Sequence, residues 1–110
     1  MSQMTNDTAS LYSPLSADPD LAEVVELFVL EMPDRVANLL KCLETSDWDG
    51  LRRAAHQLKG AAGSYGFMPI TPAAARVEDA IRQSSPEADV QQMVEELVGL
   101  CRQARSGVPK

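Results

Sequence analysis

The chain has 110 residues, 45% of them hydrophobic, and a formal net charge of −6 at pH 7, enough for one domain around one core and too little for two. Its longest apolar runs are a few residues, so no segment reads as a bilayer span, and the acidic balance argues against nucleic acid, which needs a basic surface. The opening MSQMTNDTAS has neither a basic region nor an apolar block, so no secretory signal is expected and a cytoplasmic location follows.

Residues 1–17 are polar, with only Leu11, Tyr12 and Leu15 to pack, and read as a flexible N-terminal arm. Asp18-Pro19-Asp20 is a helix start: a capping carboxylate, proline in the first turn and an acid favourable to the dipole. Leu21, Val24, Val25, Phe28 and Met32 follow at helical spacing. Pro33 then either bends this helix or separates it from a second stripe of Val36, Leu39, Leu40 and Leu43, because it cannot donate to the preceding turn. Asp47-Trp48-Asp49 caps the next helix, whose apolar stripe is Leu51, Ala54, Ala55, Leu58, Ala62 and Tyr65. Gly66 to Pro69 is turn chemistry, after which Ile70, Ala73, Ala74, Val77, Ala80 and Ile81 form another stripe. Ser85-Pro86-Glu87 caps a last helix through Val90, Met93, Val94, Leu97, Leu100, Cys101 and Ala104, and residues 106–110 form a tail. No window alternates with period two. The expected fold is all-α: an antiparallel up-and-down four-helix bundle over residues 18–105, with an additional N-terminal helix or a kinked helix segment.

Cys42 and Cys101 lie within apolar patterns and read as buried thiols of a reducing compartment. With one histidine they supply too few ligands for a closed zinc site, so no metal is expected. Charge is unevenly placed. From Asp7 to Asp34 there are seven acids and no base, whereas residues 50–82 carry Arg52, Arg53, Lys59, Arg76 and Arg82 against Glu78 and Asp79. A locally basic region on an acidic chain suits an acidic or phosphorylated partner, though a solvated mixed face explains it too.

The only histidine lies in AHQLKGAAGSYGF, residues 55–67. On a helical wheel Ala55, Leu58, Ala62 and Tyr65 fall within about 40° of Leu51, whereas His56 falls about 140° away. Gly63 and Gly60 lie on the same exposed side, and Lys59 at its edge can deliver an ammonium beside the imidazole. Each interior glycine costs roughly 1 kcal/mol relative to alanine, and packing gives no reason for two that face outward. They clear the approach to His56. Neutral imidazole is a nucleophile near neutral pH, and a nearby ammonium stabilises transferring phosphoryl oxygens. On spacing alone an ordinary surface histidine explains the pattern as well. A nucleotide loop does not, because Lys59 precedes the glycines and no strand leads into them.

His56-Gln57-Leu58-Lys59-Gly60-Ala61-Ala62, followed by Gly63-Ser64-Tyr65-Gly66, resembles the signature of histidine-containing phosphotransfer (HPt) domains, and the resemblance covers residues 18–105. It implies a four-helix bundle with His56 as phosphoacceptor through Nε2, Lys59 neutralising the phosphoryl charge and Gly60 leaving it room. It also implies a polar residue on the next helix opposite the histidine, here Glu78. An antiparallel turn centred near residue 67 puts positions 56 and 78 at equal distances from it, where a carboxylate could hold Nδ1–H and fix the tautomer. An i,i+4 pair between Glu78 and Arg82 is an equally good reading.

Arg52, Arg53, Gln57, Gly63, Phe67 and Arg82 are candidates for docking, Phe67 equally for the core. The implied function is reversible phosphoryl exchange with aspartyl phosphate on response-regulator receiver domains, with a hybrid sensor histidine kinase as a further partner. Mg²⁺ is expected on the receiver, and no cofactor on this chain. With no ATP site, the chain reads as a phosphocarrier rather than an enzyme, and as a monomer. The rival reading is a non-phosphorylated helical adaptor that leaves His56 idle.

Overall fold

Asp18 caps the first long helix, α1 (Pro19–Glu44), its carboxylate accepting the Asp20 N–H at 2.9 Å. The first amides of a helix have no intrahelical acceptor, so the cap replaces a bond the helix cannot make. In the computed structural model, which describes residues 10–109, α1 runs through Pro33 without a break. Pro33 therefore separates nothing. Phe28 and Met32 before it and Val36 and Leu39 after it are all buried in the same core, and that shared burial offsets the amide the proline removes.

Three more helices follow: α2 (Trp48–Ser64), α3 (Ile70–Arg82) and α4 (Glu87–Gln103). Together they make the expected all-α four-helix bundle. α2 packs most extensively on α3, while α1 lies mainly against α2 and α4. Asp47 caps α2 by accepting the Gly50 N–H at 2.9 Å. A β-carbon at Gly50 would press on the Asp47 carboxylate, the far end of a flexible side chain that would have to shift to make room. Ser85 does not cap α4 as its sequence suggests: Pro86 occupies the cap position and no side chain bonds to the first turn. Glu87 and Asp89 instead supply acids favourable to the dipole there.

The first three helices end in one way. Ser46, Gly66 and Ser84 adopt left-handed φ values of 56°, 83° and 56°. The next amide in each case reaches back over the last turn, Asp47 to the Cys42 carbonyl at 2.8 Å, Phe67 to Ala62 and Ser85 to Ala80 at 2.9 Å. This bond satisfies carbonyls that the helix end leaves open.

The expected flexible arm is corrected for residues 10–17; residues 1–9 lie outside the described residues, as does Lys110 of the tail. Strand β1 (Leu11–Tyr12) pairs in parallel with β2 (Ala104–Arg105), which follows α4 directly. At two residues each, these strands are too short to show alternation in sequence. A 3₁₀ turn over Pro14–Ala17 leads into α1. Between them Ser13 is 2% exposed; its hydroxyl donates to the Tyr65 carbonyl and accepts the Leu15 N–H. The segment thus straps the end of α2 to the start of α1.

Phe67 is 1% exposed and stacks on Phe28 with ring centroids 5.4 Å apart. This removes it from the docking candidates, because the backward turn at Gly66 aims it into the bundle. Cys42 and Cys101 are buried thiols, and burial pushes the Cys101 thiol up to about 12, so it is unreactive at neutral pH. A furrow of about 560 Å³ between α1 and the end of α4 is lined by Val29, Met32, Pro33 and Leu40 with Cys101 and Arg105 among others. His56 is not part of it.

Candidate functional site: a surface histidine on a buried carboxylate

His56 lies mid-way along α2 with its side chain 59% exposed, and its Nδ1 is 2.8 Å from Oε2 of Glu78 on α3. Glu78 itself is fully buried. It follows Val77 on the inner stripe of α3, one turn beyond Ala74, so the stripe that builds the core also carries a carboxylate to the seam with α2. A buried carboxylate is costly unless its oxygens are paired. Here Lys59 donates to Oε1 at 2.7 Å, and Arg82 reaches Oε2, the oxygen facing His56, at 2.9 Å.

These partners set the ionisation. The hydrogen bond from Lys59 holds the Glu78 carboxyl below its ordinary range, against the opposing effect of burial; the His56 hydrogen bond and the Arg82 charge act in the same direction as Lys59. An ionised carboxylate can only accept, so Nδ1 carries the proton that points at it. In the neutral ring, Nε2 then holds the lone pair on the exposed side.

The contact and the i,i+4 pair, alternatives by sequence, are both present on one carboxylate. Sequence spacing permits each pair separately. That one buried group satisfies all three depends on how closely α2 and α3 approach, with Ala55, Ala62, Ala73 and Ala74 among the buried residues.

Gly60 is exposed, and a β-carbon there would meet nothing within 4 Å. Gly63 is also exposed, and its β-carbon would make only an ordinary contact with Thr71 Oγ1 at 3.7 Å. Neither position needs glycine for packing or for backbone geometry. Arg52 and Arg53 both pair with Asp49, at 3.0 and 3.2 Å, so they do not reach the histidine's carboxylate. Asp49, read from the sequence only as part of the helix start, is the partner of both arginines, and its i,i+3 and i,i+4 spacing to them was a usable signal. Gln57 turns toward α1, where it lines a small cleft with Arg35 and Asn38. Two cations on each of Asp49 and Glu78 leave both clusters net positive, on a chain whose overall charge is −6.

A family model described as the Hpt domain matches residues 23–107. The chain belongs to the Hpt domain family. The match takes in almost all of the bundle, with His56, Lys59, Gly60 and Glu78 inside it, whereas β1, the 3₁₀ turn and the first residues of α1 fall outside. Neither a curated protein nor a solved structure matches this Hpt chain. Hpt domains serve histidine phosphotransfer in phosphorelays, as phosphocarriers that interact with response-regulator receiver domains and histidine kinases. No helix among the described residues is long and apolar enough to cross a membrane.

Proposed function

We propose that this Hpt domain carries a phosphoryl group on Nε2 of His56, taking it from aspartyl phosphate of one receiver domain and giving it to another. The observation that supports this reading most directly is an exposed imidazole whose inner nitrogen is held by a fully buried carboxylate. The Nε2 lone pair attacks phosphorus, the P–O bond of the acyl phosphate breaks, and the receiver's carboxylate leaves with the bonding electrons. Nδ1 keeps its proton, so the ring becomes cationic as the N–P bond forms, and Glu78 stabilises that charge. Lys59, one turn from His56, offsets the phosphoryl oxygens' charge, and the bare surface at Gly60 admits the group.

Arg52, Arg53, Gln57 and Gly63 are the proposed docking residues, with the net-positive clusters complementing the cluster of carboxylates that makes the receiver site acidic. No cofactor is assigned to this chain. The carrier is proposed to work in the cytoplasm as a monomer, served by receiver domains and a hybrid sensor histidine kinase.

Incubation with a phosphorylated receiver tests this reading. Acid-labile, base-stable phosphate should appear on the wild-type chain and be lost in His56→Gln. Equal labelling of the variant would refute the assignment of His56, and no transfer from any of several receivers would favour an adaptor that binds partners without chemistry.

A further inference from the structure

We infer that Arg82 is a positioning residue for phosphoryl transfer: it supplies the counter-charge that stays with the Glu78 carboxylate and holds its orientation, so that the charge of Lys59 is available to the phosphoryl group. The inference rests on the proposed function and changes the role given to Arg82 by its place on the surface, which is docking.

Two cations and the imidazole meet at the Glu78 carboxylate. In the resting chain one carboxylate faces two permanent cations and a neutral imidazole, so the cluster is positive by one. Phosphorylation brings a group of roughly two negative charges onto a ring that gains one positive charge, and the cluster becomes neutral. Without Arg82 the same step would leave a net negative charge around a carboxylate that is fully buried, where an unbalanced charge is costly.

Geometry decides which cation stays. Arg82 is one turn from Glu78 on the same helix and holds Oε2 at 2.9 Å, the same oxygen that accepts the Nδ1–H hydrogen bond. It fixes the rotation of the carboxylate without reaching across the seam, and its guanidinium does not lose its proton. Lys59 is different. It is on α2 with His56, three residues along, and its single ammonium on a flexible stem lies at Oε1. An ammonium offers three donors that rotate freely, and the space above Gly60 is open. Lys59 can therefore turn its charge toward a group on Nε2, provided another cation remains with Glu78.

The Nε2–P bond forms and the receiver's P–O bond breaks as before. Arg82 takes no proton and touches no reacting atom. Its effect is transmitted through Glu78, and this separates it from a docking residue.

The test compares wild type, Arg82→Gln, Arg82→Lys, Glu78→Gln and the double variant Glu78→Gln/Arg82→Gln of the full chain with one phosphorylated receiver. The Arg82 side chain is 56% exposed, and the variants' folding is checked by circular dichroism. Arg82→Gln should shift the phosphoryl equilibrium toward the receiver by about five-fold and shorten the lifetime of the phosphohistidine. Its affinity for the unphosphorylated receiver should stay within about two-fold, and Arg82→Lys should recover most of the loss. In the Glu78→Gln background, which has no carboxylate to balance, removing Arg82 should change little. Weakened receiver binding with an unchanged equilibrium, or an equal loss in both backgrounds, would overturn the inference and return Arg82 to docking. Failure of the wild-type chain to accept phosphate would instead overturn the proposed function.

Discussion

Glu78 is the residue on which the site turns. Its carboxyl is held below the ordinary range by Lys59, with His56 and Arg82 adding to the effect. A carboxyl depressed in the folded chain stabilises the fold above its unfolded pKa, and that contribution is lost as pH falls through the folded value. The thermal midpoint of the wild-type chain should therefore drop below about pH 4.5, the unperturbed value, and Glu78→Gln should flatten that drop. Gly60 supports a second prediction of opposite sign for stability and function. Because its β-carbon position is empty, Gly60→Leu should leave stability unchanged or raise it by up to about 1 kcal/mol while blocking transfer. Denaturation and labelling of the same variant check both halves, and normal transfer would end the clearance argument. The pairing of positions 56 and 78 was legible in the sequence because they are equidistant from the turn at residue 67. The burial of Glu78 was not, because a glutamate on an apolar stripe looks the same whether its head is wet or enclosed.

At the scale of elements, the helices form through packing more than through propensity. α2 carries Gly50, Gly60 and Gly63 and still holds its full length, because Leu51, Ala55, Leu58 and Ala62 are all buried on its inner face. The helix ends are less well matched to their residues. Ser46 and Ser84 sit at φ 56°, in a region that costs an L-residue roughly 1–2 kcal/mol and glycine little. Ser46→Gly and Ser84→Gly should each stabilise the chain by about 0.5–1 kcal/mol after the added flexibility of glycine is counted, measured by urea denaturation. At Gly66 the reverse holds. Any side chain there is strained at φ 83° and would strike the Ser13 hydroxyl. The serine ends were hidden in the sequence because serine marks a helix start as readily as a left-handed end.

Across the whole molecule, the site and the strap lie on different parts of α2. His56 is mid-helix at the seam with α3, whereas Ser13 closes the end of α2 at Tyr65. Ser13 is enclosed and bonded at both its donor and acceptor sides, so Ser13→Ala leaves a carbonyl and an amide short of a partner. Its cost should be about 1–2 kcal/mol in denaturation experiments, with phosphoryl transfer retained. A variant as stable as wild type would show that the strap contributes no net stability.

The sequence by itself determined the helical class, the caps at Asp18 and Asp47, the core stripes apart from Val24 and Leu40, which are exposed, and the exposed face shared by His56, Gly60 and Gly63. All of these follow from spacing along one helix, which a linear chain states directly. Only the tertiary structure decided that α1 passes through Pro33, that Phe67 turns inward, that residues 10–17 pack, and that Lys59, Arg82 and His56 share one buried carboxylate. Each of these depends on what another element places alongside, a quantity that periodicity within a single segment does not contain.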